Sequence, residues 1–351
     1  MTPLERFVGL LAALLTIIVS FATFFLVSDQ YKTVGYITTF FIIEFGLLYF
    51  AFLVGKRSVR PPKPKEKTSD EILLEFFENK KTGKVNADIV RFGLALSTPV
   101  WLSHKYQTRK AIGELVEDAA NNPHNIGAII KVLIDDLGWT NVELGLYSEA
   151  EDKIKLGIYL AEKHSNNYYV AKGYRHLFGL NYRQGNIEIA EKHLKDSKEV
   201  TEKLPADKKK DELIAELHFA TSSLEFKKGN LEKSLQEIEI AHEKYKLLAD
   251  KEWIIKILAR KGEILLSQKK YEEAHIIFKQ GLEDSKTYYF NRQIVKNLIG
   301  LGLFHLARTQ IPKAKHEFEN ARKIADEIGM YYEKRIIDDH LAMINSNNTT
   351  T

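Results

Sequence analysis

The 351-residue chain contains no cysteine. That absence excludes disulfides, thiolate metal sites and a cysteine nucleophile, and it fits a reducing compartment. A charge imbalance in the bulk of the chain is also missing. Residues 1–67 carry eight Lys/Arg against four Asp/Glu, which accounts for the whole net charge of +4. The remainder holds 43 of each sign, so nothing there resembles the basic surface that phosphate binding requires, and no nucleic-acid partner is expected.

Signatures of chemistry are scarce too. Eleven histidines are scattered along the chain without an H-E-x-x-H pattern. The nearest ligand-like run, Asp338-Asp339-His340, puts adjacent helical residues in different directions. Gly300-Leu-Gly-Leu-Phe-His305 starts like a dinucleotide loop, but it lacks the third glycine and no strand precedes it. No phosphate loop is present, nor any Ser/His/Asp arrangement that a helical fold would bring together. The expectation is a protein that is not an enzyme and that carries neither cofactor nor metal.

Two long apolar runs open the chain. Phe7–Val27 has no charge in 21 residues, and Thr33–Val54 has only Glu44 in 22. At about 1.5 Å per residue each matches the roughly 30 Å hydrocarbon core, so both are predicted to span a membrane. The first run is too long for the apolar core of a cleaved signal peptide and has no A-x-A-like site after it. A retained helical hairpin over residues 1–55 is expected. Lys56, Arg57, Arg60, Lys63, Lys65 and Lys67 crowd the exit of the second span, whereas the turn between spans offers only Lys32, offset by Asp29. The positive-inside bias then puts both termini and everything downstream in the cytoplasm, with those six side chains beside lipid headgroups.

Glu44 sits at the midpoint of the second span, where an ionisable group costs roughly 2.5–3.5 kcal/mol. Two readings stay open beside simple snorkelling or a tolerated misfit. A protonated Glu44 can hydrogen-bond to Thr16 and Ser20 at similar depth in the first span. Alternatively it joins the hairpins of several subunits or lines a pore between them. Residues 56–68 form a stiff, proline-rich linker built around Arg60-Pro61-Pro62-Lys63-Pro64-Lys65, which serves as a stop-transfer flank or, on its PxxP pattern, as a ligand for another module. Thr68 and Glu71 then form a capping box ahead of a helical lead-in over 69–124, which includes a degenerate repeat interrupted by Pro99.

The most specific signal is a repeat over residues 125–330. Ala150, Ala190, Ser234, Ala274 and Ala314 follow one another at intervals of 40, 44, 40 and 40, each closing a turn-plus-helix segment such as Gly145-Leu-Tyr-Ser-Glu-Ala150. Small residues stand upstream at Gly138, Ser222, Gly262 and Gly302, with Phe178 the exception. Ile154, Leu194, Ile238, Phe278 and Phe318 come four residues after each Ala/Ser, and Gly157, Ser197, Ala241, Gly281 and Ala321 three later. Antiparallel helices approach closely only where small residues cross, with large ones filling the flanks. One pair cannot bury its face alone, so pairs stack.

This register resembles the tetratricopeptide repeat, Leu137-Gly138, Gly145, Tyr147, Ala150 and Ile154 matching its small and large positions in one unit. The resemblance implies a solenoid of five helix-turn-helix units, and with the two apolar runs ahead of it the chain is expected to be all-α, a transmembrane hairpin followed by that solenoid. A capping helix over 331–346 and a disordered tail over 347–351 would complete it. The period exceeds the family's usual 34, and the 44-residue interval accommodates the charged insertion Leu204–Lys210.

The resemblance also implies that the first helix of each unit lines a concave groove. The groove positions are Asp135, Trp139, Lys172, Arg175, Tyr182, Arg183, Phe219, Phe226, Lys227, Lys256 and Glu263. Of these, Trp139, Lys172, Arg175, Tyr182, Arg183, Phe226 and Lys227 form the candidate partner-binding set. Basic groups beside aromatics suit an acidic or carboxylate-terminated peptide, although Trp139 serves equally well in packing between helices. Two functions follow as expectations. One is a membrane-anchored cytoplasmic adaptor or sensor that binds a protein or peptide. The other is an effector whose hairpins form homo-oligomers through Glu44 and perturb the bilayer.

Overall fold

A computed structural model describes residues 86–120 and 125–347. Both apolar runs, Glu44, Thr16, Ser20, the basic linker and residues 348–351 lie outside the described residues. No described helix is long and apolar enough to cross a membrane. The described residues fall into two units, divided after Ser103. The first contributes one helix, α1 (Asn86–Leu102), which holds Pro99 in its last turn.

The second unit is helical throughout its described length. It begins with α2 (Tyr106–Ala119). Next comes α3, in which an α-helical start (Ile126–Lys131), a π-helical middle (Val132–Trp139) and an α-helical end (Thr140–Glu143) run on without a break. Then follow α4 (Tyr147–Lys163), α5 (Asn167–Gln184), α6 (Ile187–Glu202), α7 (Lys208–Lys227) and α8 (Leu231–Leu247). The series ends with α9 (Lys251–Ser267), α10 (Tyr271–Thr287), α11 (Asn291–Ala307), α12 (Ile311–Ile328) and α13 (Tyr331–Asn347). From α3 to α12 the helices pair consecutively, and each pair packs on the next to form a solenoid of stacked helices. Asn347, expected in a disordered tail, is the last residue of α13.

Each pair turns on the same backbone device. The chain leaves the first helix through a left-handed residue, glycine at 145, 185 and 229 and the non-glycines Lys269 and Thr309 in the last two pairs. The amide after it reaches back five residues, as in Asn186 N–H to Asn181 O at 2.9 Å and Gln310 N–H to His305 O at 2.8 Å. This Schellman closure satisfies the carbonyls that a helix end leaves orphaned. Between pairs, Asn166, Asp207 and Asp250 accept from the amides of Tyr169, Lys210 and Trp253, capping the following helix. Pro312 occupies the first turn of α12, where its missing N–H costs nothing.

The core follows the alternation of small and large residues. Ala150, Ala190, Ser234, Ala274 and Ala314 are all fully buried, as are Ile154, Ile238, Phe278 and Phe318. A Cβ at Gly138 would sit 2.5 Å from Ile154, and one at Gly302 2.8 Å from Phe318. Phe278 lies closely against two glycines, Gly262 of its own pair and Gly300 of the next. Gly300 and Gly302 are thus packing glycines, which accounts for the loop-like motif. Ser222 replaces glycine in the third pair, and its hydroxyl is met by the Ser234 hydroxyl at 3.1 Å, which also donates to the Ser222 backbone carbonyl at 2.8 Å. Phe178 departs from the small-residue rule and packs on Ala190, Leu194 and Leu213.

Candidate ligand-binding lumen

The repeat interval places Lys172, Glu216, Lys256 and Lys296 at one register position on α5, α7, α9 and α11. One turn earlier stand Tyr168, Glu212, Glu252 and Arg292. These first helices face a lumen rich in charge and aromatic rings, and the partners of each side chain decide what is left for a ligand.

Most of the expected groove cations are neutralised from within. Lys172 Nζ donates to Asp135 Oδ2 at 3.0 Å. Arg175 Nε lies 2.7 Å from Glu216 Oε2. Arg183 holds Glu143 in a two-pronged grip, Nη2 to Oε1 at 2.9 Å and Nη1 to Oε2 at 3.2 Å. Burial alone would raise the Asp135 carboxyl, but Lys172 and His176 outweigh it and hold Asp135 well below the ordinary carboxylate range. The π-helical stretch widens the turn so that neighbouring acids are both engaged: Asp135 by Lys172 and His176, and Asp136 by Arg109 and Lys131.

The aromatic members of the set are packing elements with polar edges. Trp139 stacks on His176 at 4.9 Å, carries the Arg175 and Arg183 guanidiniums at 5.2 Å each, and lies against Gly179. Tyr182 is flanked by Phe178 and by the exposed Lys227, 5.9 Å from its ring. Phe226 carries the Arg260 guanidinium at 5.3 Å, and Arg260 pairs with Glu263 at 2.6 Å.

Lys256 differs from these. Its Nζ lies 3.3 Å from the centroid of Trp253 and 4.7 Å from that of Phe219, and no described carboxylate is within ion-pair distance. Burial drives the ammonium well below its ordinary pKa, and Lys296 and Arg175 push in the same direction. Lys296, one repeat on, has a single carboxylate, Glu333, at 3.8 Å and keeps a quarter of its side chain exposed. Its pKa is lowered too, by burial that Glu333 does not offset. The lumen therefore holds two lysines with few ion-pair partners, one of them, Lys256, set over aromatic rings. That arrangement suits an anion carrying an apolar neighbour.

Lys256 is legible in the sequence as a groove position, but Lys296 was not identified there. The signal existed in the 40-residue spacing between the two lysines. Trp253, Glu143 and Arg292 were also missed, because their roles depend on partners far away in the chain. Among the described residues no group of three or more His, Asp or Glu is placed to hold a metal ion.

No protein-family model and no curated protein matches this chain. Solved structures do. A Rap protein complexed with competence and sporulation factor is 10% identical, with a TM-score of 0.55 over 91% of this chain and 98% of that one. The fold is a tetratricopeptide-type solenoid. At that identity the likeness speaks to fold alone. A Pyrococcus horikoshii signal-transduction ATPase with a tetratricopeptide-repeat sensor is 19% identical, with a TM-score of 0.49 over 89% of this chain, which spans 43% of that protein. Yeast Tom70 is 17% identical, with a TM-score of 0.42 over 80% of this chain and 60% of its own.

Proposed function

We propose that this protein is a membrane-tethered receptor for an acidic peptide segment of a partner protein, bound inside the lumen. Lys256 carries this reading, as a half-buried lysine with rings beneath it and no described carboxylate within ion-pair distance. A ligand carboxylate seated between Lys256 and Lys296 would give both lysines an anionic partner, and an adjacent apolar side chain would cover Trp253 and Phe219. The solenoid it resembles most usefully, the Rap protein, is itself in complex with a factor. Lys172, Arg175 and Arg183 belong to the scaffold of this site, since their charges are committed to Asp135, Glu216 and Glu143.

The test is direct. Replacing both Lys256 and Lys296 by glutamine is expected to abolish binding of an acidic peptide while leaving the helical content intact. Removing a charged partner from a desolvated binding site costs about 2–5 kcal/mol, or at least tenfold in affinity. Unchanged affinity in that variant rejects the site.

The tether rests on the apolar runs 7–27 and 33–54 and on the lysines and arginines behind them. Resistance to alkaline carbonate extraction is expected, and release of the protein into the soluble fraction rejects the tether. Glu44 sustains a second reading, in which the hairpins associate and perturb the bilayer. Replacing Glu44 by glutamine separates the two: peptide binding should survive, and any ion leak that depends on proton exchange should not.

A further inference from the structure

In a solenoid each repeat ordinarily touches only its neighbours. Here the first pair also touches the fifth. Arg292, in the first turn of α11, donates through Nη2 to Glu143 Oε1 at 3.0 Å, a partner 149 residues away. Through Nη1 it donates to the Tyr106 hydroxyl at 2.5 Å, 186 residues away. Glu143 is only 1% exposed and is shared with Arg183 of the second pair. Around this junction Tyr332 of α13 lies 5.2 Å beneath the Arg183 guanidinium, and Gly329 approaches Tyr106. Helices α2, α3, α5, α11 and the start of α13 thus meet at a single buried carboxylate.

We infer that this junction is a clasp that closes the lumen from the side, and that opening it at Arg292 is the step that admits a ligand. The break falls at Arg292 for a chemical reason. Were the fifth pair to swing away, Glu143 would keep both prongs of Arg183 and remain a paired buried charge. The Tyr106 hydroxyl would keep the His104 imidazole, 3.3 Å away, and the bonds that Arg292 gives up can be replaced by water at an opened edge or by an incoming carboxylate. Buried ion clusters of this kind contribute little net stability, because desolvation offsets attraction, but they fix one geometry against another. Opening would widen lateral access to the inner charges that face the lumen. A ligand that pairs with Arg292 there would shift the population towards opening.

The experiment needs no ligand, so its failure is distinct from failure of the peptide-receptor reading. The natural chain has no cysteine, so a Lys256→Cys substitution in the full-length protein creates a unique thiol in the lumen. Its rate of reaction with a bulky polyethylene-glycol maleimide, relative to N-ethylmaleimide, reports lateral access. Adding Arg292→Gln is expected to raise that ratio on the order of tenfold, within the range typical of coupling between two conformational states. Tyr106→Phe, which removes a single hydroxyl, should raise it less, and it serves as the deciding variant if Arg292→Gln does not fold. In parallel, spin labels on cysteines replacing the exposed Ser148 and Thr309 should give one narrow distance distribution in the parent and a longer, broader one with Arg292→Gln. A reactivity ratio and a distance distribution that both stay unchanged in the folded variants overturn the clasp.

Discussion

Replacing Gly300 by alanine tests the packing logic through its sign. On helix propensity alone, alanine within α11 should stabilise the protein by about 1 kcal/mol. The packing requires the opposite. A Cβ at position 300 would fall inside van der Waals contact with three ring atoms of Phe278, Cε1, Cδ1 and Cζ. The ring has little room to move, because Phe278 is fully buried and the same three ring atoms also lie against Gly262. Overpacking a tight core costs about 1–3 kcal/mol, and more where no flexible side chain can yield. After the propensity gain is subtracted, a net loss of about 1–2 kcal/mol is expected.

Urea denaturation of the full-length protein in mild detergent, followed by circular dichroism, reads this difference. The double variant with Phe278→Leu sharpens it. Removing the ring costs stability alone but makes room for the new methyl, so the two effects should fall short of additivity by about 1 kcal/mol. A more stable Gly300→Ala protein, or strict additivity in the pair, refutes the reasoning.

Thr309 holds a left-handed φ of 54° with a β-branched side chain, where glycine serves in three other pairs. Thr309→Gly should therefore stabilise the protein by about 1 kcal/mol, and a lowered urea midpoint would contradict this. His176 is buried against Asp135, and burial lowers its pKa from 6.5 to about 4. It is neutral in the fold and charged in the unfolded chain between those values, so stability is full above pH 6.5 and falls as pH drops towards 4. The decrease approaches about 3 kcal/mol at 1.36 kcal/mol per unit. The urea midpoint should lose most of this slope in His176→Gln, and an identical slope in the variant assigns the dependence elsewhere. Glu143→Ala takes the shared carboxylate away from Arg183 and Arg292 and should cost about 3–5 kcal/mol, so a midpoint near that of the parent would show the cluster to be more open to water than described.

The fold was legible because its spacing rule is local and repeated. Ala150, Ala190, Ser234, Ala274 and Ala314 announce themselves at a near-constant interval, and each lands at a close crossing of helices for the reason that makes small residues necessary there. Even exceptions follow the same logic, as Ser222 finds Ser234 at the same crossing. The lumen was only half legible. Register identified the inward positions, including Lys172, Arg175, Arg183 and Lys256, but not which of them were already paired. Arg183 finds Glu143 40 residues upstream, and Arg292 finds it 149 away. That second distance depends on how far the solenoid curls, a small rotation summed over several pairs, and no single stretch of sequence carries it. The π-helical turn at Val132–Trp139 escaped for a related reason: its widening answers Arg109, Lys131, Lys172 and His176, most of them on other helices, and no local propensity signals it.

The central claim is that Lys256 and Lys296 hold an anionic peptide group. Its most direct test is selection from a peptide library with free carboxyl termini against the full-length protein, counter-selected on the Lys256→Gln/Lys296→Gln variant. The account predicts enriched acidic sequences with an apolar residue beside the carboxylate, bound by the parent and at least tenfold more weakly by the variant. Enrichment that carries no acidic signature, or binding that the double substitution leaves intact, would contradict it.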